Sequence, residues 1–273
     1  MIIELQKSEF WKCRELLNEE GQIEAKAVVE GINPGGIFVD DEASPTTGVI
    51  WLGNNDGFIF VGNEKNEKFN QELNSFIDEV IIPDAKKVNL KWFEGVGNHP
   101  NWNETLQNVF AHRNLGSWNQ RVYTLQAKDF QADNLPVEEG YEVKKITSDL
   151  LRNESLKNIE FLRSKILEFW TSIEDFLEIG IGYCVLFKNE IVSVCFSGFV
   201  VGNVHGIDIE TLKAHQGKNL GKKVTYHYVK ECLVNELVPY WDCMEMNKPS
   251  IAVAESVGFR NVFNYVGYEF FLG

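Results

Sequence analysis

Gln216-Gly217-Lys218-Asn219-Leu220-Gly221 decides how the chain is read. Just upstream, Gly206-Ile207-Asp208-Ile209-Glu210-Thr211-Leu212 alternates apolar and polar residues, the period of a strand. Just downstream, residues 220–237 place Leu220, Val224, Tyr228 and Cys232 on one helical face, which Val229, Leu233 and Leu237 widen. The hexapeptide is therefore a strand-to-helix turn carrying two glycines. The first N–H groups of a helix lack internal acceptors, and the helix dipole adds positive potential there. Such a turn cradles an anion, and a pyrophosphate suits it.

The rest of the C-terminal half arranges itself around this turn. Residues 141–146 read as a strand, and Thr147 or Ser148 caps a helix from Asp149. Residues 159–176 carry a broad apolar helical face. Strands at 183–187 and 191–199 flank the short turn Lys188-Asn189-Glu190, a hairpin. A strand at 240–244, a helix at 249–257 opened by Pro249 and ended by Gly258, and a strand at 265–271 complete the order. The fold class is α/β (α+β): a mixed sheet with flanking helices.

Residues 128–140 are polar and acidic and contain Pro136 and Gly140, so they read as a linker between domains at 1–127 and 141–273. The N-terminal half has a similar rhythm. Helices are expected at 10–18, 23–30, 67–80 and 103–110. Strands are expected at 37–39, 49–52, 58–61, 88–93 and 121–125, with Asn55-Asp56-Gly57 as a hairpin turn. Two readings stay open, a diverged copy of the C-terminal fold or an unrelated α+β domain. Where the second half has its glycine turn, the first has Val61-Gly62-Asn63-Glu64-Lys65, with a carboxylate in place of an anion site. No second cofactor is expected there.

Composition narrows the partners. The 273 residues carry a net charge of −14, and both halves are acidic. Phosphate-backbone binding needs clustered Lys and Arg, so neither nucleic acid nor an anionic membrane is expected. Five scattered cysteines without a C-x-x-C pair fit a reducing compartment better than disulfides or zinc. No secretory leader or membrane-length apolar run is seen, and the expected location is cytoplasmic. The histidines show no metal-ligand spacing, so no metal is expected. Cys243 reads as a buried structural thiol, and the tryptophans as core anchors.

At this point the C-terminal half resembles the GNAT superfamily of N-acetyltransferases. Gln216–Gly221 is similar to its Q/R-x-x-G-x-G/A signature, in the same strand–loop–helix setting. Asn247-Lys248-Pro249-Ser250, followed by Ala252, Ala254, Gly258 and Phe259, is similar to its second conserved segment. With Ile209-Glu210-Thr211 and Trp241-Asp242-Cys243, the combination resembles the two-domain zwittermicin A resistance acetyltransferase family. Asn219 replaces the signature's first glycine. Asn is the side-chain-bearing residue that best tolerates left-handed geometry, so the turn can survive.

The resemblance implies acetyl-CoA as cosubstrate. Backbone N–H groups of Gln216, Gly217, Lys218, Asn219, Leu220, Gly221 and Lys222 would converge on its pyrophosphate, with Lys218 and Lys222 adding charge. Backbone groups of Ile209 and Thr211 would meet its pantetheine arm where two parallel strands splay. Asn247 and Ser250 would reach that arm or simply cap the short helix. Glu210 is the first choice for base or amine anchor, with Asp208 and His205 nearby; the alternative is that Glu210 binds a backbone group or an Arg. The phenol that the family often carries seven residues after the Asn is replaced by Ala254. That leaves solvent, Ser256, the substrate ammonium, or Tyr265 and Tyr268 as proton donors. The implied reaction is direct transfer of acetyl to a primary amine of a small molecule bound between the two halves. A non-catalytic CoA- or partner-binding module is the alternative, and a protein-acetylating enzyme a third. The amine and the oligomeric state are not readable from sequence.

Overall fold

The computed structural model describes residues 1–53, 57–131 and 139–273. The chain divides into two compact units, Met1–Gln120 with Tyr265–Gly273, and Arg121–Asn264. The described residues of the expected linker, 128–131 and 139–140, fall within the second unit. Linker residues 132–138 lie outside the described residues, and Gln131 N donates to Val257 O at 2.9 Å inside the second unit. Asn55 and Asp56 of the expected hairpin turn also lie outside them.

The first half supplies β1 (Ile3–Glu4), α1 (Ile23–Val29), β2 (Gly36–Val39), β3 (Thr47–Trp51), β4 (Gly57–Gly62), α2 (Glu67–Phe76), α3 (Ile82–Lys87), β5 (Trp92–Gly97), α4 (Trp102–Val109) and β6 (Gly116–Thr124). The second supplies β7 (Tyr141–Lys145), α5 (Ser148–Leu151), α6 (Ile159–Leu167), α7 (Ile173–Ile179), β8 (Gly182–Phe187), β9 (Glu190–Val201), β10 (Val204–Thr211), α8 (Leu220–Val234), β11 (Val238–Met244), α9 (Lys248–Val257) and β12 (Arg260–Phe271). Within the first unit the strand order is β1-β2-β3-β4-β5-β12; within the second it is β7-β8-β9-β10-β11-β6. In both, the first three neighbouring pairs are antiparallel and the fourth is parallel. The two halves thus share one topology, which favours the diverged-copy reading. Their final strands are exchanged. The end of β12 pairs antiparallel with β5, Gly267 opposite Val96 and Phe271 opposite Trp92, while β6 lies beside β11.

Several expected boundaries move for local reasons. The single helix expected at 159–176 is two. It breaks at 168–172, where Ser172 caps α7 by accepting from Asp175 N at 3.0 Å and the buried Trp170 donates its indole N–H to Ser197 O at 2.8 Å. The helix expected at 67–80 instead continues through a π turn at Ile77–Ile81 into α3. Asn89, with φ +59°, follows it, and β5 begins four residues later than expected. Residues Lys7–Leu16 form a 3-10 helix, not an α-helix.

In the second unit, Leu220, Val224, Tyr228, Val229 and Cys232 of α8 are buried with Cys195, Trp241 and Ala254 in one core. Phe169, Phe176 and Phe196 make edge-on contacts on the other face of the sheet. The first unit's core stacks Phe58, Phe93 and Phe270. All five cysteines are buried and unpaired. Among the described residues, no helix is long and apolar enough to cross a membrane.

Candidate functional site

The parallel pair β10–β11 holds only at its start. Val204, His205 and Gly206 pair with Val238, Pro239 and Tyr240, and a bulge follows between Gly206 and Ile207. Beyond it the two strands have no cross-pairs among the described residues, so they splay. On its other side β10 stays paired with β9 to its end, and Leu212 N donates to Val192 O at 2.9 Å. The alternation of an antiparallel ladder then directs the backbone groups of Ile209 and Thr211 away from β9, toward the splay.

The turn after β10 is shaped for an anion. Gly217 has φ +77° and Asn219 has φ +58°, the left-handed region that Gly and Asn adopt at least cost. Asn219 therefore substitutes for the signature glycine without disturbing the turn. It opens α8 without a side-chain cap, and the first intrahelical acceptor is reached by Lys223 N, 3.0 Å from Asn219 O. Among the described residues, the backbone N–H groups of Gly217, Asn219, Leu220, Gly221 and Lys222 have no protein acceptor. Gln216 closes the loop by donating its side-chain amide to Thr211 O at 3.0 Å.

These groups open on a cleft of about 850 Å³. Ile209, Thr211, Gln216, Gly217, Asn219, Leu220, Gly221, Lys222, Asn247 and Ser250, all expected from sequence, line it. A Cβ added at Gly221 would stand 3.6–3.8 Å from Val253, Ile209 and Thr211, so that glycine leaves room in the cleft wall. Asn247 caps α9 by accepting from Ser250 N at 3.1 Å, and Ser250 Oγ accepts the indole N–H of Trp241 at 3.0 Å. Lys218 is outside the lining. Its ammonium donates to Tyr141 Oη at 2.8 Å. His215, Trp241 and Val253 line the cleft without having been expected. Trp241 and Val253 are apolar positions whose wall role depends on the splay, and His215 has no metal-ligand spacing in the sequence to single it out.

Asp208 and Glu210 stand on the opposite face of β10 from Ile209 and Thr211, toward α6. Lys165 of α6 pairs with Glu210 at 3.2 Å and with Glu168 at 3.1 Å, so Glu210 meets a Lys where an Arg or backbone partner was the alternative. Burial works against the Lys165 ammonium, but Glu168 and Glu210 outweigh it and raise its pKa. Asp208 Oδ2 is buried and has no hydrogen-bond partner among the described residues. Burial pushes its carboxyl up to about 6, with Lys165 pulling the other way. His205 is buried, with Nδ1 2.9 Å from Ser197 Oγ, and burial lowers its pKa to about 4. Ala254 is fully buried in the core, and Ser256 Oγ donates to Val253 O at 2.8 Å. Tyr265 and Tyr268 belong to the first unit, where Tyr268 Oη accepts from Gln107 at 2.8 Å.

The equivalent place in the first unit is closed. β4 and β5 pair from Gly57/Glu94 to Phe60/Gly97, and Asn98 N continues the ladder to Phe60 O at 2.8 Å. Asn66 caps α2 with its own side chain, accepting from Phe69 N at 3.1 Å.

Residues 14–268 of the chain match a family model, GNAT acetyltransferase. The chain belongs to the GNAT acetyltransferase family. It is an acetyltransferase of the two-domain type. A Bacillus subtilis (strain 168) relative bearing the name uncharacterized N-acetyltransferase YdfB is 27% identical over 243 residues, covering 89% of this chain and 88% of its own. A GCN5-related N-acetyltransferase-like protein from Streptococcus suis shares the fold with a TM-score of 0.67 at 20% identity, covering 96% of this chain and 98% of its own. A tandem GNAT protein from the clavulanic acid biosynthesis pathway shares it at 0.61 and 12% identity, over 100% and 99% of the two chains. Among the described residues, no cluster of three or more His, Cys, Asp or Glu could hold a metal.

Proposed function

We propose that this GNAT protein transfers acetyl from acetyl-CoA to a primary amine of a small molecule, the amine attacking directly in a ternary complex. The observation that carries the reading is the row of unpaired N–H groups from Asn219 to Lys222, with Gly217 beside it, at the head of α8. Orphan amides at a helix start favour a diphosphate by geometry and by dipole together. The residues present fit the donor: Gly217 and Gly221 let its phosphates approach the backbone, and the outward groups of Ile209 and Thr211 offer strand-like pairing to its amide-bearing arm. Asn247 and Ser250 form the facing wall. When bound, the donor supplies a thioester-activated acetyl group.

The chain's own contribution to the chemistry is assigned to Asp208 and Glu210. An amine attacks only when neutral, so a base must take the ammonium proton. Asp208 is a buried carboxyl raised to about 6, ionised at neutral pH and closer to the working pH than an ordinary aspartate. Glu210, already paired with Lys165, serves as the electrostatic anchor that draws a cationic acceptor to this face. Ala254, a core methyl, offers no proton to a leaving thiolate, whereas Ser256 lines the cleft with its hydroxyl hydrogen-bonded to Val253 O.

A thermal-shift titration with acetyl-CoA tests donor binding, because a ligand selective for the native state raises the melting temperature. Amine-dependent release of free thiol across a panel of amines, amino sugars and polyamines tests turnover. A rise in melting temperature without thiol release would support the binding-module alternative. No rise at millimolar acetyl-CoA would sink the reading.

A further inference from the structure

His215 lines the cleft immediately before the glycine turn, and its ring is held by two aromatic neighbours. Phe187 and Tyr141 stack with centroids 4.4 Å apart, and His215 meets both edge-on, at 5.4 and 5.8 Å. Tyr141 Oη lies 2.9 Å from His215 Nδ1 and accepts from Lys218 Nζ at 2.8 Å. The inventory of donors permits a hydrogen bond directed from Tyr141 to His215. A Lys ammonium only donates, so it takes a lone pair of the phenol oxygen. The single phenol proton is then available for donation to Nδ1. An Nδ1 that accepts leaves the proton of a neutral imidazole on Nε2.

We infer that His215 is a phosphate-reading residue of the cofactor cleft, presenting Nε2–H to a phosphate oxygen of the CoA moiety, and that Tyr141 and Lys218 are positioning residues that fix its tautomer. The inference rests on the proposed acetyl-CoA reading. It gives Lys218 a role the sequence did not suggest. Its charge acts through Tyr141, not on the phosphate, and the imidazole extends the wall of orphan amides by one directed donor. A hydrogen bond to a charged acceptor is worth more than one between neutral groups, and losing it costs about tenfold in affinity.

Calorimetric titration of the full chain with free CoA, 3′-dephospho-CoA and pantetheine tests this without measuring turnover. His215→Ala is expected to weaken CoA binding about tenfold and leave pantetheine binding unchanged. His215→Gln, which restores an N–H near the Nε2 position, should recover most of the loss. Tyr141→Phe should weaken CoA severalfold by freeing the tautomer. If the penalty disappears with 3′-dephospho-CoA, the reader contacts the ribose phosphate; if it persists, the diphosphate. Equal CoA affinity in wild type and His215→Ala overturns the inference, as does an equal loss toward pantetheine, which would mark a packing role only. Should His215→Ala fail to fold, the Gln and Tyr141→Phe variants make the same comparison. A wild-type chain that binds no CoA would instead remove the acetyl-CoA reading itself.

Discussion

Trp241 donates its indole N–H to Ser250 Oγ across 3.0 Å, fastening β11 to the first turn of α9 inside the cleft wall. Trp241 is almost fully buried, so its donor has no water to fall back on. Ser250→Ala should cost about 1–3 kcal/mol by stranding that donor. Trp241→Phe removes the donor along with the indole. The double variant should be less destabilised than the two single losses combined. Urea denaturation of the four proteins measures the coupling, and strict additivity would show the bond to be idle.

Gly221 separates stability from binding. It sits in the first turn of α8, and a Cβ there meets only ordinary van der Waals contacts. Gly221→Ala should therefore stabilise the chain by about 0.5–1 kcal/mol through helix propensity. It should also weaken CoA binding about tenfold or more by filling the phosphate approach. A parallel melting curve and titration read both, and a variant that gained stability and kept its affinity would refute the placement of the phosphate.

Gly258 ends α9 with φ +113°, and a Cβ there would lie 2.0 Å from Asp129 O. Both the backbone conformation and the space are denied to other residues. Gly258→Ala should destabilise by about 3 kcal/mol or more. Chemical denaturation decides it, and a loss below 1 kcal/mol would contradict the close approach.

Asp208 and His205 titrate against each other in one pH window. Asp208 is raised to about 6 when folded, so the stability it contributes is present below its unfolded value and lost as pH rises through 6. His205 is lowered to about 4, so the unfolded chain binds its proton more readily and stability grows as pH rises from 4 to 6.5. Asp208→Asn should remove the opposing slope. Relative to wild type, the variant should gain roughly 2–3 kcal/mol between pH 4.5 and 7. Denaturation at the two pH values checks the sign, and a parallel pair of stability curves would show that Asp208 is not raised.

Lys165 tunes the same carboxyl from across the sheet face. Its ammonium lowers the Asp208 pKa, so Lys165→Met should raise it. If Asp208 is the base, the acid limb of the pH–rate profile moves upward. Activity at pH 6 should fall roughly threefold relative to pH 8. An unmoved limb with a uniformly scaled rate would assign Lys165 a packing role alone.

Much of this was legible in the residues because it is local. The α8 face, the left-handed tolerance of Asn219 and the Gly258 stop each depend on a few neighbours along the chain. What escaped was set from a distance. Residues 159–176 have continuous helical periodicity, yet Trp170 turns inward to Ser197 O, 27 positions away in sequence, and Ser172 restarts the helix. Lys218 looks like a phosphate cation by adjacency, but its partner Tyr141 comes from a strand 77 positions earlier. The alternation along β10 separates Asp208 and Glu210 from Ile207 and Ile209 by period alone, but that Glu210 is ion-paired while Asp208 Oδ2 is left without a hydrogen bond depends on Lys165 of α6. Asn66 shows the converse: its capping oxygen occupies a helix start that the Val61–Lys65 segment alone only hinted was unsuitable.

The traded terminal strands set a schedule for synthesis. The first half leaves the ribosome early, but β5 waits for Gly267–Phe271, about 170 residues further along the chain, to cover its edge. Until then a nascent chain carries an incomplete sheet through the making of more than 140 intervening residues, from Gln120 to Tyr265. The portion translated first is thus the portion finished last, and a stop codon at Tyr265 strips the first unit of its closing strand while leaving every residue of the second in the chain.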